Sequence, residues 1–321
     1  MENNTELSLL RPRSVSAVVS DGYRLYMATF RSLFRSSWIA ALVYALAFAL
    51  LASGVVQSVI PLAVARRAGV DSVGAPAAWV SVVVVLFYFI AVVFFAAQGV
   101  HVLREHSATG AVSRAGRWYG RLCLSDFLRL LPVCVWLLLL SAAVVAAFMS
   151  VAAALASLGV EGGLSGSVSS LALATILALA AMALCIPLHY TVVRALVADG
   201  KPRLSPPFSG YATGLRHWGL LFATVLVVCV LTGLLTLVCE LPAVIMAAAN
   251  AMACVGQATG DPLGMPDSMA PLAVGVFFVA GFIQAYVHLS TIYPLYYAYG
   301  AIEEMKSVRL DISHTPQPSL K

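Results

Sequence analysis

Residues 38–60 read WIAALVYALAFALLASGVVQSVI and are followed by Pro61. The run carries no charged residue, and at about 1.5 Å of rise per residue it is long enough to cross a hydrocarbon core of about 30 Å. A membrane-barrel strand would show about ten residues in two-residue alternation, and runs such as Trp79 to Ala97 show no such alternation. A helix is therefore expected, because it satisfies its own backbone in lipid. Five further runs meet the same criterion, at residues 77–103, 130–158, 169–197, 218–240 and 271–299.

Composition points the same way. The 321 residues are 61% apolar and 10% charged, with a mean hydropathy of +0.93. A soluble domain carries about 45–50% apolar and about 25% charged residues. This chain has too little charge to cover a soluble surface, which excludes a soluble globular protein, a disordered chain and a disulfide-stapled mini-protein. The expected fold is an all-α polytopic transmembrane bundle of six spans over residues 38–299, with tails at 1–37 and 300–321. The N-terminal 36 residues contain no apolar core of signal-peptide length, so the first span reads as a retained signal-anchor.

All nineteen Lys and Arg residues except Arg66 and Arg67 fall before the first span, between spans two and three, between spans four and five, or after the last. By the positive-inside rule both termini are expected in the cytoplasm, N-in and C-in. The net charge of +5 is thus a topology signal. No nucleic-acid-binding motif accompanies it, and no nucleic-acid partner is expected.

Two basic segments look like interfacial amphipathic helices. From Tyr23, apolar residues recur at Tyr26, Met27, Phe30, Leu33 and Phe34, with Arg24, Arg31 and Arg35 on the opposite face. Between spans two and three, Arg114, Arg117 and Arg121 share a helical stripe beside Trp118 and Tyr119. Contact with anionic lipid would contribute about 1 kcal/mol per basic residue near the surface. The plainer reading is an interfacial anchor that fixes the spans.

The chain divides loosely into three helical hairpins. Their returning helices place His101, His189 and His288 toward the cytoplasmic end, with Gln98 and Gln284 one turn before the first and last. Intramembrane ionisable groups are functional candidates by default, so convergence of these five would make a polar site for an ion, proton or headgroup. The plainer reading is that each histidine packs in the bundle, bonded to a carbonyl. No metal or other cofactor is expected, because no metal-ligand spacing accompanies them. Glu240 follows Trp218 by about 33 Å of helix and is expected at the outer interface, with residues 243–252 a bent extension or an interfacial helix.

Gly163, Leu164, Ser165 and Gly166 resemble the GxSG nucleophile motif of rhomboid intramembrane proteases. A serine nucleophile needs a histidine at hydrogen-bond reach, and His288 would lie about 25 Å deeper. A flexible turn explains the segment better. The six cysteines form no C-x-x-C pair, and no P-loop, Rossmann or HExxH pattern occurs. No catalytic residue is expected, and the chain reads as a non-enzyme.

The last span ends Tyr296-Tyr297-Ala298-Tyr299-Gly300-Ala301-Ile302-Glu303-Glu304-Met305-Lys306. This aromatic run closing on charge, with the Tyr/Phe/Arg lead-in to the first span, resembles poorly characterised bacterial six-helix membrane families. They include the membrane domains found beside glycerophosphodiester phosphodiesterases. The resemblance implies a multi-pass protein of the bacterial inner membrane and transfers no catalytic residue. The function expected is membrane organisation, lipid handling or membrane-protein assembly. Membrane lipids are the expected partners, with a membrane protein or a second copy of the chain as further candidates. The alternative is a small transporter or channel component using the His/Gln cluster.

Overall fold

A computed structural model describes residues 8–59, 78–110, 124–157, 163–197, 208–258, 266 and 268–314. Every regular element among them is helical. In chain order they are α1 (Val15–Gly54) with a π-helical turn (Val55–Val59), α2 (Ala78–Thr109), α3 (Leu124–Ser157) and α4 (Gly163–Val197). The short α5 (Tyr211–Arg216), α6 (Trp218–Ala258), α7 (Met269–Ser290) and α8 (Ile292–His314) follow. Six stretches are long and apolar enough to cross a membrane, α7 and α8 counting as one. The chain is an all-α, multi-pass integral membrane protein.

Several helices outrun the apolar segments that announced them. The interfacial helix expected before residue 38 is not a separate element. Ser14 caps α1, its Oγ accepting from the Ala17 N–H, and the helix then runs unbroken through Trp38 to Gly54. Its aromatic face is taken by protein rather than by bilayer. Tyr26 meets Tyr293 at 5.1 Å, Phe30 meets Tyr286 at 5.8 Å, and Phe34 meets Phe282 at 6.3 Å. Packing those rings against α7 and α8 commits much of the apolar face to protein, although Met27 and Phe34 stay 71% and 40% exposed. Arg24, Arg31 and Arg35 are exposed on the other side.

Likewise the expected tail from residue 300 is helical to His314, and α6 continues through Pro242 to Ala258. The break between α7 and α8 has a local cause. Pro294 cannot donate to the Ser290 carbonyl four residues back, and its ring crowds it. The turn closes instead through Thr291, whose N–H and hydroxyl both donate to the His288 carbonyl.

The centre of the fold is α1, which packs on α2, α7 and α8, while α6 lies along α7 and α3 bridges α2 to α4. At the end rich in basic residues, Leu25, Leu33, Leu103, Tyr190, Tyr293, Tyr296, Tyr297 and Ile302 are fully buried in one core. Two glycines permit close backbone contacts there. A Cβ on Gly22 would lie 2.6 Å from the Pro294 backbone, and one on Gly300 would lie 2.5 Å from the Leu9 carbonyl oxygen. By contrast α3 exposes Leu138, Leu139 and Val145, as a helix bathed in lipid does.

Candidate functional site

Polar side chains gather in three places. The first joins α2 to the start of α3. Asp126, 1% exposed, accepts from Arg104 and lies 2.5 Å from His101 Nδ1. The carboxylate sits in the first turn of α3, where the positive end of the helix dipole also favours it. Arg104 and His101 keep partial solvent access, so the cluster is a buried acid held by two half-buried bases.

The second place is the N-terminal arm. Arg13 has a side chain only 2% exposed. Its Nε donates to Asp21 at 2.8 Å and its Nη1 to the Leu9 carbonyl at 2.9 Å, while the guanidinium lies 4.6 Å from the centre of the Tyr297 ring. One arginine therefore ties residues 8–14 to both α1 and α8. His106, buried beside it, shares a 2.9 Å hydrogen bond with the Tyr296 hydroxyl. Across α8, Tyr190 donates to Glu303. At the α5–α6 junction, burial with Arg309 and Arg216 nearby holds the His217 imidazole below its usual range.

The third place lies deeper, among α1, α2 and α7. The Tyr44 hydroxyl donates to Gln284 Oε1 at 3.3 Å and meets the Tyr88 hydroxyl at 3.2 Å. Nearer the basic end, Tyr26 donates to the Tyr286 carbonyl at 2.9 Å, and Ser37 and Tyr286 share a 3.2 Å bond.

The five residues expected to converge have different surroundings. His101 belongs to the Asp126 cluster and Gln284 to the Tyr44 network. His189 is bonded to the Ile186 carbonyl of its own helix at 3.1 Å. His288 is exposed on α7, and Gln98 is buried in α2. Among the described residues, no three His, Cys, Asp or Glu side chains are placed to hold a metal ion. Arg114, Arg117 and Arg121 lie outside the described residues.

The sequence reading missed Asp126, Arg13 and His106. Asp126 had one visible signal, as a lone acid among the basic residues entering the third span. Arg13 and His106 had none, since their partners come from helices far along the chain.

Beside these clusters lies a groove of about 540 Å³ between α1, α6 and α7, lined by Tyr23, Leu231, Thr232, Leu234, Leu235, Val238 and Ser290. Its α6 wall is open: Leu234 and Val238 are 58% and 71% exposed.

No protein-family model, curated protein or solved structure matches the chain.

Proposed function

We propose that this chain is a non-enzymatic, lipid-handling protein of the bacterial inner membrane, with both termini in the cytoplasm. The observation that carries the reading is the lateral groove on the membrane-facing surface of α6. Leu231, Leu234, Leu235 and Val238 form its wall on a helix of membrane-crossing length, where acyl chains are the surrounding solvent. An acyl chain is the occupant such a groove takes.

The groove's rim supports the choice of phospholipid. Tyr23 lines the groove, and the next residue, Arg24, is exposed with Arg31 and Arg35 on the same helix. Arg24, next to the lining residue Tyr23, would attract an anionic headgroup by about 1 kcal/mol. The transporter alternative has weaker support, because His189 bonds within its own helix and His288 is exposed.

Native mass spectrometry of the detergent-purified protein tests the reading. The wild type is expected to retain phospholipid, with anionic species enriched. Leu234→Trp, which fills the groove from its open wall, is expected to lose it. Arg24→Gln is expected to keep lipid but lose the anionic preference. Equal retention by wild type and Leu234→Trp, or no retention by wild type, would overturn the proposal.

A further inference from the structure

Glu240 is not at the end of its helix. Residue counting from Trp218 places it at the outer interface, but α6 is a 41-residue helix and its start does not mark the membrane border. One turn beyond Glu240, Ala243 is buried in a cluster with Ala49 of α1 and with Phe277 and Ala280 of α7. Glu240 itself lies near the middle of Trp218–Gln257, the stretch of α6 long and apolar enough to cross a membrane. Glu240 therefore lies inside the membrane-crossing stretch of α6 rather than at its end.

Its surroundings are unusual for a structural carboxylate. Glu240 Oε1 is buried without a hydrogen-bond partner, and so are the hydroxyls of Thr236 and Thr232. The three residues are four apart, so they line one face of α6 at steps of about 6 Å. Buried polar groups without protein partners are rare in native proteins and call for an explanation, an ordered water among them. Thr232 is also on the wall of the lateral groove. At the other end of the row, Glu240 is within electrostatic reach of Tyr44, which bonds to Tyr88 and Gln284.

We propose that Glu240 is an intramembrane proton-binding site, its proton exchanged through water held at the Thr236 and Thr232 hydroxyls one and two turns away. The ligand is a proton rather than a metal cation. A sodium or calcium ion needs several oxygen ligands at once, whereas the row offers one carboxyl and one hydroxyl per turn. The Tyr44 phenol of α1 is within electrostatic reach of Glu240, and its hydroxyl bonds in turn to the Tyr88 phenol of α2 and the non-titrating Gln284 amide of α7. Among the described residues no charged side chain acts on it, and no ion pair involves it. The exchange balances, since the proton that leaves the carboxyl for a water at Thr236 is replaced from that water chain. A carboxyl in hydrocarbon with no cationic partner is a functional group by default. This site stands independently of lipid binding in the groove.

Infrared difference spectroscopy of the protein in liposomes tests it. The wild type is expected to show a protonated-carboxyl C=O band at neutral pH that shifts in D₂O. Glu240→Gln is expected to lose that band while keeping its helical circular dichroism. Thr236→Val is expected to keep the band and slow its exchange. A wild-type spectrum without the band, a band that survives in Glu240→Gln, or one that never exchanges would overturn the assignment. So would exchange in Thr236→Val as fast as in wild type.

Discussion

At the residue scale, the best-held polar group is Asp126. Its carboxylate is buried and takes one bond from Arg104 and another from His101. Asp126→Ala would leave both bases without their acid at the joint between α2 and α3. Because each base keeps some solvent, the expected loss is about 1–3 kcal/mol, below the cost of breaking a fully buried pair. Thermal unfolding in detergent checks this, with His101→Ala expected to lose less because Arg104 still pairs with Asp126. Equal stability of wild type and Asp126→Ala would show that the cluster contributes nothing to the joint. The residue scale is also where the sequence was least legible. His101 was grouped with Gln98, its neighbour one turn away, whereas its partner is 25 residues on.

At the element scale, hydrophobic runs located the six spans, while helix lengths and faces followed other rules. Helix α1 reads as two segments by composition and forms one helix, because nothing at residues 36–38 interrupts its backbone hydrogen bonding. Its aromatic face looked like a membrane-surface face because lipid and protein aromatics select the same residues. The contact of α1 with α8 depends on Gly22 lying against Pro294. A methyl group there meets backbone atoms at 2.6 Å, which cannot rotate away as a side chain can. Gly22→Ala is expected to destabilise the bundle by about 1–3 kcal/mol through overpacking. Gly54→Ala, where a Cβ meets nothing within 4 Å, serves as its control. A melting temperature of Gly22→Ala equal to that control would show that the helices can part without cost.

At the scale of the whole molecule, the asymmetric distribution of Lys and Arg makes a topological prediction. A cytoplasm-dependent reporter fused after Lys321 is expected to be active, and a periplasm-dependent one inactive. The reverse pattern would place both tails outside. The sequence by itself determined that this is a six-span helical membrane protein, because crossing a bilayer imposes length and apolarity on each helix separately. Those are local properties that need no knowledge of neighbours. Only the tertiary structure decided which polar groups meet. Tyr44 finds Gln284 across 240 residues, His101 finds Asp126 across 25, and His189 turns back to a carbonyl of its own helix. Such meetings depend on the tilt and rotation of each helix, which are set by side chains packing between helices. In a chain whose spans are apolar all round, the hydrophobic pattern does not encode which face turns inward.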